Sequence, residues 1–185
     1  MSAGASGDAG SRGDTNEPGF RIGYGYDLHR LAPIGPASGE RGRPMVIGGV
    51  PFQNWYGPVA HSDGDALLHA ITDAVLGALG LPDIGQLFPD RDEQWRGAAS
   101  GVFLAEAVRL ARELGWEVGN VDATVVVESP KLGPRKEEVR ESIAQALGLG
   151  PDRVNIKGKT HELIDPSRID GRIEAMAAVL MVRIP

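Results

Sequence analysis

Each of the four histidines stands beside carboxylates or hydroxyls at spacings that suit metal or phosphate chemistry. Asp27-Leu28-His29 closes an alternating stretch that begins at Phe20. In an extended chain residues two apart project the same way, so Asp27 and His29 leave the strand end together while Leu28 turns to the core. Such a pair is half of a metal site, or a structural or surface pair. His61-Ser62-Asp63-Gly64-Asp65 precedes His69, and Ser62 with Asp65 three positions on reads as a capping box at the start of a helix running to about Gly80. Leu68, Ile71, Val75 and Leu79 give that helix an apolar face, and Asp65, His69 and Asp73 form another stripe at four-residue spacing. Asp73 or Asp65 is placed to hold the His69 imidazole, Asp73 the more so if Asp65 caps, or else both are solvated or structural acids. Free N–H groups at the helix start suit a phosphate, with His61 and Ser62 as further donors. His69 can supply a metal ligand if partners arrive from elsewhere; an ordinary capped surface helix has the same pattern.

The elements that must position these groups alternate along the chain. Arg30 to Pro44 reads as a loop, and Met45–Phe52 as a hairpin around Gly48-Gly49. Leu81 to Asp92 reads as an irregular acidic loop. Ser100 caps a second helix through Leu114, with Val102, Ala105, Val108 and Leu110 as apolar positions and Gly115 as its stop. Trp116–Val127 is a strand with Val121, Ala123, Val125 and Val127 on one face, emptying into the turn Glu128–Pro134. A third helix carries Val139, Ile143 and Leu147 and ends at Gly148. Strand Val154–Lys157 leads to Gly158-Lys159-Thr160-His161-Glu162, where a hydroxyl, an ammonium and a carboxylate suit phosphate and a hard cation, a composition that an ordinary hydrophilic loop shares. Arg172–Ile184 is a last strand with both faces fit for burial. The order predicts an α+β two-layer sandwich, a mixed sheet with helices on one face.

The chain of 185 residues suits one domain, residues 20–185, behind a Gly-, Ala- and Ser-rich tail at 1–19 expected to be disordered. That tail has neither the apolar run of a secretory signal nor the acid-poor composition of a transit peptide, so a cytoplasmic protein is expected. A net charge of −6 argues against a nucleic-acid partner, and no apolar run of membrane-spanning length occurs. The absence of cysteine leaves His, Asp and Glu as the metal ligands.

Gly23-Tyr24-Gly25-Tyr26-Asp27-Leu28-His29, then His61-Ser62-Asp63-Gly64-Asp65 with His69, then Asp83-Ile84-Gly85 and Phe88-Pro89-Asp90 occur in the order found in the 2-C-methyl-D-erythritol 2,4-cyclodiphosphate synthases of the non-mevalonate isoprenoid pathway. From about Arg21 onward the chain resembles that family. The resemblance implies that a phosphate of a cytidine diphosphate ester attacks the β-phosphorus of the same molecule, releasing CMP and a cyclic diphosphate. It implies zinc on Asp27, His29 and His69, with Asp27 and His29 also touching substrate, and magnesium or manganese at Glu162. His61 and Thr160 would stabilise the transition state, and His61 and Ser62 would contact phosphates. Asp83, Ile84, Gly85 and the run Phe88, Pro89, Asp90, Arg91, Asp92 would meet the sugar and the methylerythritol. The turn Val127, Glu128, Ser129, Pro130, Lys131, Leu132, Gly133 would cradle cytosine. The family forms homotrimers packed around the sheet faces, with active sites between subunits.

Two departures stand out. Lys159-Thr160-His161-Glu162 replaces the family's threonine run, which adds Lys159 and His161 to the expected substrate contacts; a salt bridge at a subunit boundary is an equal use of the Lys159 charge. A longer segment, 163–170, precedes Gly171-Arg172-Ile173-Glu174 and lacks the family's phenylalanine, which puts isoprenoid diphosphate binding on the trimer axis in doubt although Arg172 keeps its charge. Water-activating phosphohydrolysis and turnover-free binding use the same residues. The first lacks an obvious base.

Overall fold

The computed structural model describes residues 18–35, 41–162 and 171–185. Nearly all of the expected tail and the whole 163–170 segment therefore lie outside the described residues. Strands β1 (Phe20–Pro33), β2 (Met45–Ile47), β3 (Val50–Phe52) and β4 (Tyr56–Pro58) precede helices α1 (Ala66–Ala78), α2 (Ile84–Leu87) and α3 (Ser100–Glu113). Strand β5 (Trp116–Val126), helix α4 (Lys136–Leu147) and strands β6 (Val154–Lys159) and β7 (Arg172–Arg183) follow. The main sheet runs β4-β1-β7-β5-β6, antiparallel except for the β5–β6 pair, and β2–β3 is a separate hairpin. The helices cover one face, as the expected two-layer architecture requires.

Parity along β1 decides which face that is. Gly23 and Gly25 are buried under α1 so closely that a Cβ on Gly25 would stand 1.9 Å from the Ala70 carbonyl oxygen. Only glycine admits a helix at that distance, so the odd-numbered residues face α1 and bring Asp27 and His29 with them. Leu28 is consequently on the other face, half exposed in line with Phe20, Ile22, Tyr24 and Tyr26, and not in the core as its alternation suggested. The inner face continues through Ile173, Ala175, Ala177, Val179 and Met181 of β7 and Val121, Ala123 and Val125 of β5, all buried.

Several boundaries differ from the sequence expectation. β1 runs on to Pro33 because Leu31–Pro33 pair with β4, so the loop begins later than Arg30. Helix α1 is capped by Asp65 accepting from Leu68 N at 3.1 Å, not by Ser62. Ser62 instead closes a tight turn, its Oγ accepting from Gly64 N at 3.2 Å, and Gly64 there has φ +75°. Asp65 also accepts from Gly48 and Gly49 N–H, tying the hairpin to the helix start. Along α3 the buried set is Phe103, Leu104, Ala107, Val108 and Ala111; Val102 and Ala105 point to solvent. The expected loop 81–92 contains α2, capped by Asp83. Stops at Gly115 and Gly148, both at positive φ, fall where expected.

Candidate active site

Strand β1 and helix α1 converge on three ligand atoms. Asp27 Oδ2 lies 3.1 Å from His29 Nε2 and 3.0 Å from His69 Nδ1, and the two ring nitrogens are 3.3 Å apart. Four-coordinate zinc with bonds of about 2.0–2.1 Å needs ligand-to-ligand edges of about 3.3 Å, so the triangle fits such an ion with a fourth corner left open. Asp27, His29 and His69 are also the one group of three or more such side chains among the described residues whose ligand atoms can share a cation. Burial raises the Asp27 carboxyl, but hydrogen bonds and charge from His29 and His69 outweigh it and hold it far below the usual carboxylate range. For His69, burial lowers the imidazole while its hydrogen bond to Asp27 and that residue's charge raise it, and the net shift is upward.

The remaining His69 nitrogen, Nε2, lies 2.8 Å from Ser100 Oγ and 3.3 Å from Ser62 Oγ. Neither Asp65 nor Asp73, the expected holders of that ring, touches it: Asp65 is the helix cap, and Asp73 accepts from Ile84 N at 2.8 Å. Sequence reading placed Ser100 as a helix cap. Only the packing of α3 against α1 brings it to His69.

The triangle opens on a cleft of about 230 Å³ whose walls include His61, Ser62, Ile84, Gly85, Phe88 and Asp90. His61 is oriented by its Nε2, 3.2 Å from the Asp92 carbonyl, and Arg43 donates to the carbonyls of Ala60 and His61 at 2.8 Å each. Phe88, Trp95 and Phe103 close the back wall, with Phe88 and Phe103 ring centroids 4.6 Å apart. Asp83 and Asp92 serve as caps of α2 and of the 3-10 turn at Glu93–Trp95, and Pro89 and Arg91 do not line the cleft. Arg43, Trp95 and Phe103 carried no motif that marks them in sequence, and Ser100 was marked only as a helix cap.

A second cleft, about 540 Å³, is lined by Val127, Lys131, Leu132, Lys159, Thr160 and Glu162 among others, and three lysines face it once Lys136 is counted. Thr160 Oγ1 donates to Glu162 Oε1 at 2.9 Å, and Glu162 has φ +52°. Glu128 joins the two turns by accepting from His161 N at 2.7 Å. Asn54 holds Ser129 through a reciprocal pair of hydrogen bonds at 3.0 and 3.1 Å. The His161 ring turns away from this cleft: its Nε2 lies 2.9 Å from Glu174 Oε1, which also accepts from Arg172 at 2.5 Å, while Tyr26 donates to the other oxygen at 3.1 Å. His161 and Arg172 thus gather at the outer sheet face and line neither cleft.

Register fixes how far apart the two clefts are. Asp27 pairs with Ala175, Ala175 with Val125, and Val125 with Gly158, so one row of the sheet links the metal triangle to the start of the Thr160 turn across three strand spacings. That is about 14 Å at ~4.8 Å per step.

The YgbB family profile matches residues 20–182. The chain belongs to the YgbB family. The chloroplastic 2-C-methyl-D-erythritol 2,4-cyclodiphosphate synthase of Arabidopsis thaliana is 51% identical over 164 residues, covering 89% of this chain and 68% of the relative. The synthase of Synechococcus elongatus (strain ATCC 33912 / PCC 7942 / FACHB-805) is 46% identical over 164 residues, 89% of this chain and 98% of its own length. A solved 2C-methyl-D-erythritol-2,4-cyclodiphosphate synthase in a CDP-bound form superposes with a TM-score of 0.77 at 41% identity, covering 87% of this chain and 99% of that one. The motifs that carried the resemblance to the cyclodiphosphate synthases, between Gly23 and Asp90, lie within the matched residues 20–182. No helix among the described residues is long and apolar enough to cross a membrane.

Proposed function

We propose that this chain converts 4-diphosphocytidyl-2-C-methyl-D-erythritol 2-phosphate to 2-C-methyl-D-erythritol 2,4-cyclodiphosphate and CMP, a step of isoprenoid precursor biosynthesis. The observation that carries the reading is the Asp27–His29–His69 triangle at the mouth of a cleft, in a chain whose relatives bear that activity. The 2-phosphate oxygen attacks the β-phosphorus and the α–β bridging bond breaks toward CMP. Nucleophile and electrophile are both anionic and belong to one molecule, so the protein's task is to hold them in line and to relieve their repulsion.

Asp27, His29 and His69 would hold zinc, and Glu162 magnesium or manganese; such cations, when bound, supply positive charge at the phosphoryl oxygens. His61 and Ser62 donate to phosphate oxygens from the wall of the first cleft. Ile84, Gly85 and Phe88 exclude water around the methylerythritol, Asp90 lines the same wall, and Asp83 and Asp92 cap the turns that carry it. In the second cleft Lys131 and Lys159 attract the diphosphate, Thr160 donates to it, and the turn 127–133 offers backbone groups to the base. Asp27 and Thr160 lie too far apart within one chain to grip one diphosphate. We therefore place each working site between two copies of a homotrimer, the first cleft of one copy facing the second cleft of its neighbour. The exposed apolar file Phe20, Ile22, Tyr24, Tyr26 and Leu28 supports burial of the outer sheet face in that assembly. Residues 20–185 constitute the synthase domain in this reading, with 1–19 as its tail. Relatives named for the chloroplast and from Synechococcus leave plastid and cytoplasm as its compartments.

The decisive experiment incubates the protein and zinc and magnesium salts with the cytidine-linked substrate and follows phosphorus NMR. Cyclic diphosphate and CMP are expected. A linear phosphate would indicate hydrolysis, and unchanged substrate a binding protein; either outcome rejects the cyclisation. Light scattering that gives a monomer at working concentration rejects the trimer.

A further inference from the structure

The side chain that faces the back of the metal triangle belongs to no motif of the site described so far. His69 presents Nδ1 to Asp27 and His29, at 3.0 and 3.3 Å. A neutral imidazole that ligates through Nδ1 carries its proton on Nε2, and that proton needs an acceptor. Ser100 Oγ stands 2.8 Å from Nε2 and is completely buried. The Ser100 hydroxyl in turn donates to Asp63 Oδ1. A carboxylate only accepts, so Asp63 fixes the direction of the whole chain: Ser100 must donate to Asp63 and is left with a lone pair for the His69 N–H. Asp63 is itself held, accepting from Ser100 N at 3.0 Å and from Asp65 N at 3.1 Å, while its own N–H donates to the Ala98 carbonyl at 3.0 Å.

We infer that Asp63 and Ser100 are positioning residues for the metal centre, a carboxylate–hydroxyl relay that locks the His69 ring with Nδ1 as the ligand atom. The inference rests on the reading of Asp27, His29 and His69 as a zinc site. A bland alternative is that Asp63 merely satisfies the first N–H of α3. That role needs the Ser100 backbone and not its hydroxyl, so the two are separable. Ser62 Oγ, at 3.3 Å and already accepting from Gly64 N, is a poorer acceptor for the same proton.

The test measures zinc affinity by competition with a chromophoric chelator, with folding followed by circular dichroism. Ser100→Ala keeps the backbone cap and removes the hydroxyl, and the zinc Kd is expected to rise about 10- to 100-fold. Asp63→Asn is expected to weaken zinc at least as much, because the amide can donate to Ser100 and turn its hydroxyl toward Nε2, which favours a proton on the ligand nitrogen. The double variant should lose no more than the worse single one, and saturating zinc should restore turnover in all three. Wild-type zinc affinity in folded Ser100→Ala overturns the relay, and this holds even if Asp63→Asn fails to fold. Failure of the wild-type protein to bind zinc overturns the metal-site reading instead.

Discussion

Gly25→Ala tests whether the metal triangle depends on how closely α1 lies on β1. The added Cβ would sit 1.9 Å from Ala70 O and 2.8 Å from Ala74 N. A carbon-to-oxygen contact wants about 3.3 Å, so helix and strand must separate by about 1.4 Å. Ala70 adjoins His69, and that displacement carries the imidazole away from Asp27 and His29, far beyond the ~0.2 Å that metal–ligand distances tolerate. Overpacking of this kind costs about 1–3 kcal/mol, and each kcal/mol lowers Tm by about 2–4 °C in a domain of this size. The expected result is a folded protein that melts several degrees lower and has lost most of its zinc affinity, read by differential scanning calorimetry and chelator competition. A variant that melts lower yet binds zinc as tightly as the parent would refute the link between helix approach and ligand geometry. Unchanged melting would refute the packing argument itself.

His69→Ala should strip zinc and abolish cyclisation while the circular dichroism spectrum is retained; zinc-stoichiometric, active protein would contradict the assignment. Thr160→Val should lower kcat about 10²-fold, with zinc content measured by atomic absorption unchanged. Ile22→Glu places a charge on the apolar outer face and should shift light scattering to monomer, ending turnover while the Asp27–His29–His69 triangle still titrates with zinc. Glu174 has a depressed carboxyl: burial raises it, but hydrogen bonds from His161 and Tyr26 and the charge of Arg172 outweigh that. Its stabilising contribution is therefore present above the ordinary glutamate range and lost as the pH falls through the lower folded value. Against Glu174→Gln, the parent should melt higher at pH 7, with the gap closing on acidification; a gap that widens toward acid would reverse the sign.

Strand alternation made Asp27 and His29 legible as half a site and helix spacing offered His69 as a ligand, both local readings; their union came only from the family resemblance, and the structure brings the three together. Leu28 was misplaced because alternation shows that two faces exist and not which one is buried; the glycines at 23 and 25 settle it only once α1 is known to cross them. Ser62 and Ser100 both resembled caps, since a hydroxyl before an apolar run is what a cap looks like. Their actual partners, Gly64 N and His69 Nε2, depend on a turn and a helix packing that no spacing encodes. The approach of His161 to Glu174 likewise follows from register, since Val126 of β5 pairs with Lys159 of β6 on one side and with Glu174 of β7 on the other.

The central position of β7 bears on how the protein comes to be folded. It follows every other strand among the described residues yet lies between β1 and β5, and Tyr26 and Glu174, linked across that boundary, are 148 residues apart. During synthesis the N-terminal strand must wait for the last one before its long edge is closed, which is the slow, non-local kind of pairing. Nascent chains stalled before residue 172 should therefore expose an open, glycine-bearing edge to chaperones.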